Sequence, residues 1–438
     1  MTTYVYTSYY GTEQDIAAGD TAFVLPAAAI YNTTGSGYGI HDASYATINV
    51  AGTVFGYYGV GVGVAGQTSY VAVDKGGLIV GTYDGIYVAG THQVVNNGDI
   101  EALSGNGAGL DLPGAGSVVN NGNISGTYGI INSDATTTDT NYITNTGTLS
   151  GTAYAYYGGS SQNLFANSGV TTGSLYFGSG AGDILYNVGT VNVAGGFVGF
   201  GAGAGDILDN MGVVYSEAHG SGAVNMITFG SGTGDYLYNT GVIALMGATN
   251  AASNAVLLGS GAGDYLINTS SGAIYGNVSA GSGAGELIDN NGLIYGNVNL
   301  GNGATNVYYG QNGHLYGSVI CGSGGDYVYS GTAAEPATAG TGNDYFHSAN
   351  GAQMTINETA AAQLTNGYDT VANFQISNAT TGAGTFLHID ASLHATTGFT
   401  SDGAGGTYVY MGLGGGNYSY IDVVGASVAQ VQAQTYFA

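Results

Sequence analysis

The chain of 438 residues is almost without positive charge. It has a single lysine, Lys75, and no arginine, against 27 acidic residues. A protein without cations cannot neutralise phosphates, which excludes nucleic acid as a partner. An anionic membrane surface is excluded for the same reason. The formal net charge of −26 instead predicts attraction of metal cations.

Cysteine, tryptophan and long apolar runs are scarce as well. Cys321 is the single cysteine, so no disulfide framework forms within the chain; we expect a small buried side chain, with an interchain disulfide as the alternative. No stretch of roughly 18 apolar residues is free of glycine, so no membrane-spanning helix is predicted. The N-terminus, MTTYVYTSYYGTEQDIAAGD, carries neither the basic segment nor the apolar core of a cleaved secretion signal.

Glycine and tyrosine are abundant, with 83 and 37 residues. Acidic disordered chains are poor in apolar residues, whereas 44% of this chain is hydrophobic and only 6% is charged. Strand-forming residues interrupted at short intervals by glycine favour an all-β fold.

A repeated segment specifies the architecture. The sequence GSGAGDILYNVG at 178–189 returns at 201–212, 230–241, 259–272 and 281–292, with weaker copies at 301–313 and 321–331. A glycine turn, a short apolar strand and an Asn-x-Gly corner form one coil of a parallel β-solenoid. Counting corners predicts about twelve coils. The predicted organisation is an N-terminal strand or cap at 1–23, the solenoid at 24–348 and a β-rich cap with a secretion-signal region at 349–438.

The corner asparagine recurs once per coil, at spacings of 20 to 29 residues. Neighbouring corner side chains are therefore predicted to stack and to satisfy each other's amide groups. Glycine after the corner supplies the backbone conformation of a tight turn. The predicted ladder consists of Asn96, Asn120, Asn145, Asn167, Asn187, Asn210, Asn239, Asn268 and Asn290.

The corner motif and the C-terminal segments resemble those of two protein families. The pattern Asn-x-Gly-x-Ile-x-Gly resembles the right-handed parallel β-helices of bacterial adhesins and autotransporter passengers. AGTGNDYFH (339–347) is similar to the calcium-binding nonapeptide of repeats-in-toxin proteins, and the 18 residues from Asp326 to Asp344 match one β-roll turn. GYDTVANFQ (367–375), FLHIDASL (386–393) and YIDVVGASVAQVQAQTYFA (420–438) resemble the closing segments of that family. The resemblance implies type I secretion to the outside of the cell without a cleaved N-terminal signal.

Acidic residues occupy equivalent repeat positions and are predicted to form a column of like charges about 5 Å apart. Calcium, bound by carboxylate and carbonyl oxygens, would relieve their repulsion. The resemblance favours the region 322–347, which includes Asn343; the alternative is that Gly-Asp merely makes solvated turns. The candidate metal ligands are Asp183, Asp206, Asp235, Asp264, Glu286, Asp326, Asp344 and Asn343.

Catalysis is not predicted. Right-handed β-helices include polysaccharide lyases and hydrolases, but lyases of acidic sugars use arginine or lysine, and only Lys75 is present. The carboxylate pairs Asp206/Asp209 and Glu286/Asp289 lie at the repeated corner, so nothing distinguishes either of them as an acid and base pair.

The ends of a solenoid expose unpaired backbone groups that add further strands. TTYVYTSYYG (2–11) is alternating and uncharged, as a simple N-terminal cap strand would be; the alternative is that it pairs with a second copy. The predicted function is a secreted structural protein that self-assembles into a filament, surface layer or biofilm-matrix fibre. The alternative is a monomeric adhesin binding neutral glycans along the solenoid face, and a polysaccharide-degrading enzyme is the least favoured. The predicted assembly residues are Tyr4, Tyr6, Tyr9 and Tyr10.

Overall fold

A computed structural model describes residues 1–63, 67–132, 140–217, 222–310, 312–359, 367–377, 383–414 and 417–437. The chain is nearly all β, with 53% strand and 3% helix, and forms a parallel β-solenoid, which confirms the predicted fold class. It divides into two compact units, Met1–His219 and Gly220–Ala438. Strands are of two kinds: A strands, many of which end at the corner asparagine, and B strands, which follow the A strand of their coil.

In the first unit every described strand pair is parallel, and the A strands follow one another in chain order. The A strands are β1 (Thr3–Tyr6), β4 (Thr21–Val24), β7 (Thr47–Val50), β9 (Thr68–Val73), β11 (Thr91–Asn96), β14 (Gly116–Asn120), β16 (Thr140–Asn145), β18 (Gln162–Asn167), β20 (Ile184–Asn187) and β23 (Ile207–Asn210). The B strands are β2 (Tyr9–Tyr10), β3 (Gln14–Asp15), β5 (Ala29–Tyr31), β6 (Tyr38–Asp42), β8 (Thr53–Val62), β10 (Leu78–Val88), β12 (Asp99–Ala102), β13 (Ala108–Asp111), β15 (Asn123–Ile131), β17 (Thr148–Tyr157), β19 (Val170–Tyr176), β21 (Thr190–Asn192), β22 (Val198–Gly199) and β24 (Val213–Glu217).

The second unit repeats this plan and adds two antiparallel pairs near its C-terminus, β44 with β45 and β45 with β46. Its A strands are β26 (Tyr236–Asn239), β29 (Tyr265–Asn268), β32 (Leu287–Asn290), β35 (Val307–Tyr309), β38 (Tyr327–Tyr329), β40 (Tyr345–His347), β42 (Tyr368–Ala372), β44 (Thr397–Ser401), β45 (Thr407–Gly414) and β46 (Asn417–Val423). Its B strands are β25 (Asn225–Thr228), β27 (Val242–Met246), β28 (Asn254–Leu257), β30 (Ala273–Tyr275), β31 (Asn277–Ser279), β33 (Leu293–Tyr295), β34 (Val298–Asn299), β36 (His314–Leu315), β37 (Val319–Ile320), β39 (Glu335–Thr338), β41 (Gln353–Glu358), β43 (Gly384–Ile389) and β47 (Thr435–Phe437). A 3₁₀ helix (Ala391–Thr396) and an α-helix, α1 (Val428–Ala433), complete it.

The core is formed by side chains that point alternately into the coil and out of it along each short strand. In β18 the side chains of Phe165 and Asn167 point inward, and in β20 those of Leu185 and Asn187 do so. The parallel register places Phe165 opposite Leu185 and Asn167 opposite Asn187. Because the side-chain period of a strand is two, one in-register repeat stacks apolar on apolar and amide on amide in every coil.

The structure has about 15 turns rather than about twelve. Parallel pairing already begins at Thr3, which lies opposite Thr21, and it continues to β46, where Tyr420 lies opposite Tyr368. These outer coils lack the Asn-x-Gly signal on which the count depended. Pairing therefore crosses both predicted boundaries, through Tyr6 with Val24 and through β40 with β42, and the division at 23 and 348 stays a prediction.

The structure also bears on the expected burial of the single cysteine and on membrane-spanning helices. Cys321 is buried and free, as expected of a small core side chain. Among the described residues, no helix has the length and apolar character needed to cross a bilayer.

The glycine turns of neighbouring coils touch. A Cβ atom built on Gly203 would lie 1.6 Å from the carbonyl oxygen of Gly180, and one on Gly283 would lie 1.6 Å from that of Gly261. These glycines are required for close approach of two backbones, whereas Gly205 is required for its positive φ of 73° and has nothing within 4 Å of its Cβ position.

We therefore predict different costs for two alanine substitutions in one turn. Gly205→Ala should lower the free energy of unfolding by about 1–2 kcal/mol, the cost of a left-handed conformation. Gly203→Ala should cost clearly more, because the backbone of the neighbouring coil has to move. Denaturant unfolding of the two variants measures this, and equal losses would contradict the stacked-turn geometry.

Candidate functional site

The predicted asparagine ladder lies inside the coils, and its side chains hydrogen-bond to one another. In the first unit, Nδ2 of each corner asparagine donates to Oδ1 of the next at 2.8–2.9 Å, along Asn96, Asn120, Asn145, Asn167, Asn187 and Asn210. In the second unit the same bond, at 2.9 Å, joins Asn239, Asn268 and Asn290. These side chains are all but completely buried.

Most of these amides also bond to the backbone of the corner. Nδ2 of Asn120 donates a second hydrogen bond to the carbonyl oxygen of Thr148 at 2.9 Å, and Oδ1 of Asn96 accepts from the Gly98 N–H at 3.1 Å. A buried amide with its donors and acceptor satisfied tolerates no slip of register, because a slip would leave polar atoms unpaired. The ladder thus fixes how consecutive coils align.

The acidic column is buried rather than solvated. Its side chains are at most 1% exposed. Most of them repeat one bond, in which the carboxylate accepts from the backbone N–H of the equivalent residue one coil earlier. The bonds are Asp183 N–H to Asp206 (2.9 Å), Asp235 N–H to Asp264 (2.9 Å), Asp264 N–H to Glu286 (3.0 Å) and Asp326 N–H to Asp344 (3.0 Å).

The position needs an acceptor oxygen, not a charge. Asparagine occupies it once in the second unit, where Asn306 Oδ1 accepts from the Glu286 N–H at 2.9 Å. In the first unit, the N–H of Asn163 donates to Asp183 at 2.6 Å. A buried N–H without an acceptor costs free energy, so the turn selects a short side chain that carries an oxygen.

Burial raises the pKa of five carboxyl groups of the column, those of Asp183, Asp264, Glu286, Asp326 and Asp344. The pKa of Asp183 is raised to about 8, chiefly by burial and then by the charge of Asp206. The pKa of Glu286 is also raised to about 8, by burial and then by Asp264, and burial raises that of Asp326 to about 7. The column therefore carries fewer negative charges at neutral pH than the formal count suggests.

One cluster in the favoured region, 322–347, brings metal-ligand types together. Cys321, Asp326 and Asp344 each offer a ligand atom within 4.8 Å of the others, all in the interior. The oxygens of Asp344 accept from the N–H groups of Asp326 at 3.0 Å and Gly340 at 2.7 Å. Calcium takes about six to eight oxygen ligands, so a thiol and two hydrogen-bonded carboxylates are a poor match. Calcium binding stays a prediction that this cluster does not support.

Asn343 does not join that cluster. It is exposed whereas Asp344 is buried, so the two side chains point to opposite sides of the turn. Its Oδ1 accepts from the N–H of Tyr368 at 3.0 Å. The structure therefore separates two ligands that the repeats-in-toxin resemblance placed together.

The four predicted assembly tyrosines have different surroundings. Tyr6 is buried and packs edge-on against Tyr10, with ring centroids 5.1 Å apart, and burial raises its pKa to about 12. Tyr4 and Tyr10 are half-buried. Tyr9 is 68% exposed and begins a stack that continues through Tyr31. Tyr9 is thus the member that a second molecule can reach.

The carboxylate pairs weighed as acid and base do not converge. Asp206 and Glu286 are buried inside their coils, whereas Asp209 and Asp289 are partly exposed. Residues three apart on one strand point to opposite sides of the wall. The two carboxylates of each pair therefore do not face a common position in which a substrate could bind.

A cluster that sequence reasoning missed lies on the first two coils. Glu13, Asp15 and His41 each bring a ligand atom within 4.8 Å of the others. Asp15 and His41 lie directly opposite each other in the pairing of β3 with β6. The available signal in the sequence was that Asp15 and His41 lie one coil apart. However, the Asn-x-Gly corner from which the length of a coil is read is missing in these first coils.

The raised pKa values predict a stability that falls as pH rises. Unfolded aspartate and glutamate titrate near about 4, so between pH 4 and the folded values of about 7–8 the native state holds more protons. We expect the melting temperature at pH 5 to exceed that at pH 8 by a few degrees.

Two variants isolate this effect from general charge repulsion. Asp183→Asn keeps an acceptor oxygen and should flatten the slope, whereas Asp74→Asn, at an exposed position, should leave it unchanged. A melting temperature that rises with pH, or equal slopes in the two variants, would contradict the buried column.

Comparison with known proteins adds no relative. No protein-family model, curated protein or solved structure matches this chain. The parallel β-solenoid is established by the strand pairing itself, and the resemblance to repeats-in-toxin proteins stays a prediction.

Proposed function

We propose that the protein is an extracellular structural protein whose copies assemble into a filament, surface layer or biofilm-matrix fibre through the first coil. The observation that carries the proposal is an unprotected strand edge. In the described residues, β1 pairs with β4, β2 with β5 and β3 with β6, and each has a partner on one side.

The free side of β1 follows from its hydrogen bonds. The N–H of Thr21 donates to the carbonyl oxygen of Thr2, and that of Leu25 donates to Tyr6, each at 3.0 Å. Backbone direction alternates along a strand, so the N–H and C=O groups of Thr3 and Val5 point away from β4. Proteins usually protect such an edge with lysine, proline or a bulge, and Thr3–Tyr6 has none of these.

Side chains of the first coil suit a second copy. Val5 is 51% exposed, and the outermost ring, that of Tyr9, stacks on Tyr31 with centroids 5.8 Å apart and an interplanar angle of 24°. The stack continues from Tyr31 to Phe55 with the same spacing. A strand added beside β1 and β2 would extend both the backbone ladder and this aromatic stack.

Secretion by a type I system is part of the proposal and rests on the C-terminal resemblance. The order implied for such a tail, a strand, a short helix and a terminal aromatic segment, agrees with β46, α1 and β47. Extracellular use also suits a chain whose single basic residue leaves few cleavage sites for trypsin-like proteases.

Glycan binding is the weaker candidate because the tyrosines of the most regular exposed stack cover each other's ring faces. Tyr275, Tyr295 and Tyr316 form an exposed stack with centroid distances of 4.7 and 4.3 Å and interplanar angles of 1° and 6°. Sugar rings bind aromatic side chains through open ring faces. In this stack the facing ring surfaces contact each other, so a sugar cannot bind between them.

Val5→Pro tests the proposed edge. Proline removes an N–H that points away from β4 and is tolerated on edge strands, so β1 should stay paired with β4 while addition of a strand is blocked. We expect wild type and the control Val5→Thr to form ordered assemblies in electron micrographs, and Val5→Pro to remain monomeric with an unchanged melting temperature.

The same micrographs are recorded in the presence of calcium and in the presence of excess chelator. Assemblies that persist in excess chelator would keep the structural role and remove calcium as its trigger. Val5→Pro assemblies like those of wild type would overturn the proposed contact. Monodisperse wild-type protein in both conditions would overturn self-assembly and favour a screen of neutral glycans.

A further inference from the structure

Three side chains of metal-ligand type converge on adjacent coils of the first unit. Asp15 is the last residue of β3, and His41 lies opposite it in β6. Nδ1 of His41 is 3.2 Å from Oδ1 of Asp15 and 3.8 Å from Oε1 of Glu13. All three ligand atoms lie within 4.8 Å of one another.

These separations are close to those of a tetrahedral metal site. Zinc binds imidazole nitrogen at about 2.0–2.1 Å and carboxylate oxygen at about 2.0–2.2 Å, which places neighbouring ligand atoms about 3.3 Å apart. The distances from His41 to Asp15 and to Glu13 bracket that value. Small side-chain movements would bring the three atoms onto one ion.

Surrounding groups orient two of the ligands. The ring of Tyr38 stacks on that of His41, with centroids 4.4 Å apart and an interplanar angle of 16°. Oε2 of Glu13 accepts from the Tyr38 N–H at 3.0 Å and from Nδ2 of buried Asn32 at 3.3 Å. Glu13 therefore keeps its other oxygen, Oε1, toward His41, the kind of outer-shell support that metal ligands usually have.

We propose that Glu13, Asp15 and His41 form a binding site for a divalent transition-metal ion of the zinc class. An imidazole with two carboxylates suits zinc, whereas calcium prefers oxygen ligands alone. The side chain of Asp15 is 78% exposed, so an ion can enter and water can fill the fourth position. The site goes beyond the proposed function, since it needs a single copy of the chain.

Calorimetric titration of the full chain with zinc chloride tests the site. High salt and excess magnesium suppress diffuse binding to the acidic surface. We expect one zinc ion per chain, and an affinity at least about tenfold weaker in His41→Ala, Asp15→Asn and Glu13→Gln. His347→Ala is the matched control, because His347 packs against Tyr329 and belongs to neither ligand cluster of the described residues. This variant should bind zinc as wild type does.

X-ray absorption of the zinc-loaded protein identifies the ligands. Nitrogen and oxygen ligands without sulfur agree with the proposal. A sulfur ligand, with binding lost in Cys321→Ser, would place zinc at the interior cluster and overturn it. Equal zinc affinity in wild type and His41→Ala would overturn it as well and would show that the ion is held by exposed carboxylates generally.

Discussion

At each corner of a coil the backbone leaves its strand while still enclosed by its neighbours, so its buried N–H and C=O groups need partners in the adjacent coils. Columns of polar side chains add to the backbone hydrogen bonds at two places in the repeat. The corner asparagines bond to one another and to the backbone, and the aspartates after the glycine turn accept the N–H of the coil before. Both devices work only when identical positions stack, so they fix the register on which the apolar core depends.

The same constraint accounts for the acidic composition. A repeat that needs an acceptor oxygen once per coil can use aspartate, glutamate or asparagine, and Glu286 and Asn306 show that the turn accepts more than one of them. Most copies are acidic, and burial raises the pKa of five of them. The formal charge of −26 thus includes many groups that act as hydrogen-bond acceptors in the interior rather than as attractors of cations.

The sequence was sufficient for the fold and the asparagine ladder because both follow from the period of a visible corner. The sequence was insufficient where the side chain of a turn residue can point either into the coil or toward solvent. Asn343 and Asp344 are adjacent, yet one is exposed and the other buried, and the spacing of glycine and aspartate does not determine which. The pairing of Asp15 with His41 could not be predicted either, because the first coils lack the Asn-x-Gly corner from which the register is read.

Exchange of the asparagine side-chain amides with deuterium, followed in protein labelled with ¹⁵N at asparagine alone, tests the stacked columns most directly. Corner side chains such as Asn120 and Asn145 donate both amide protons inside the coils, whereas Asn297 and Asn343 are exposed. We predict two populations, one of side-chain amides that stay protonated for hours and one that exchanges at once. A single fast population would contradict the ladder and, with it, the register of the whole solenoid.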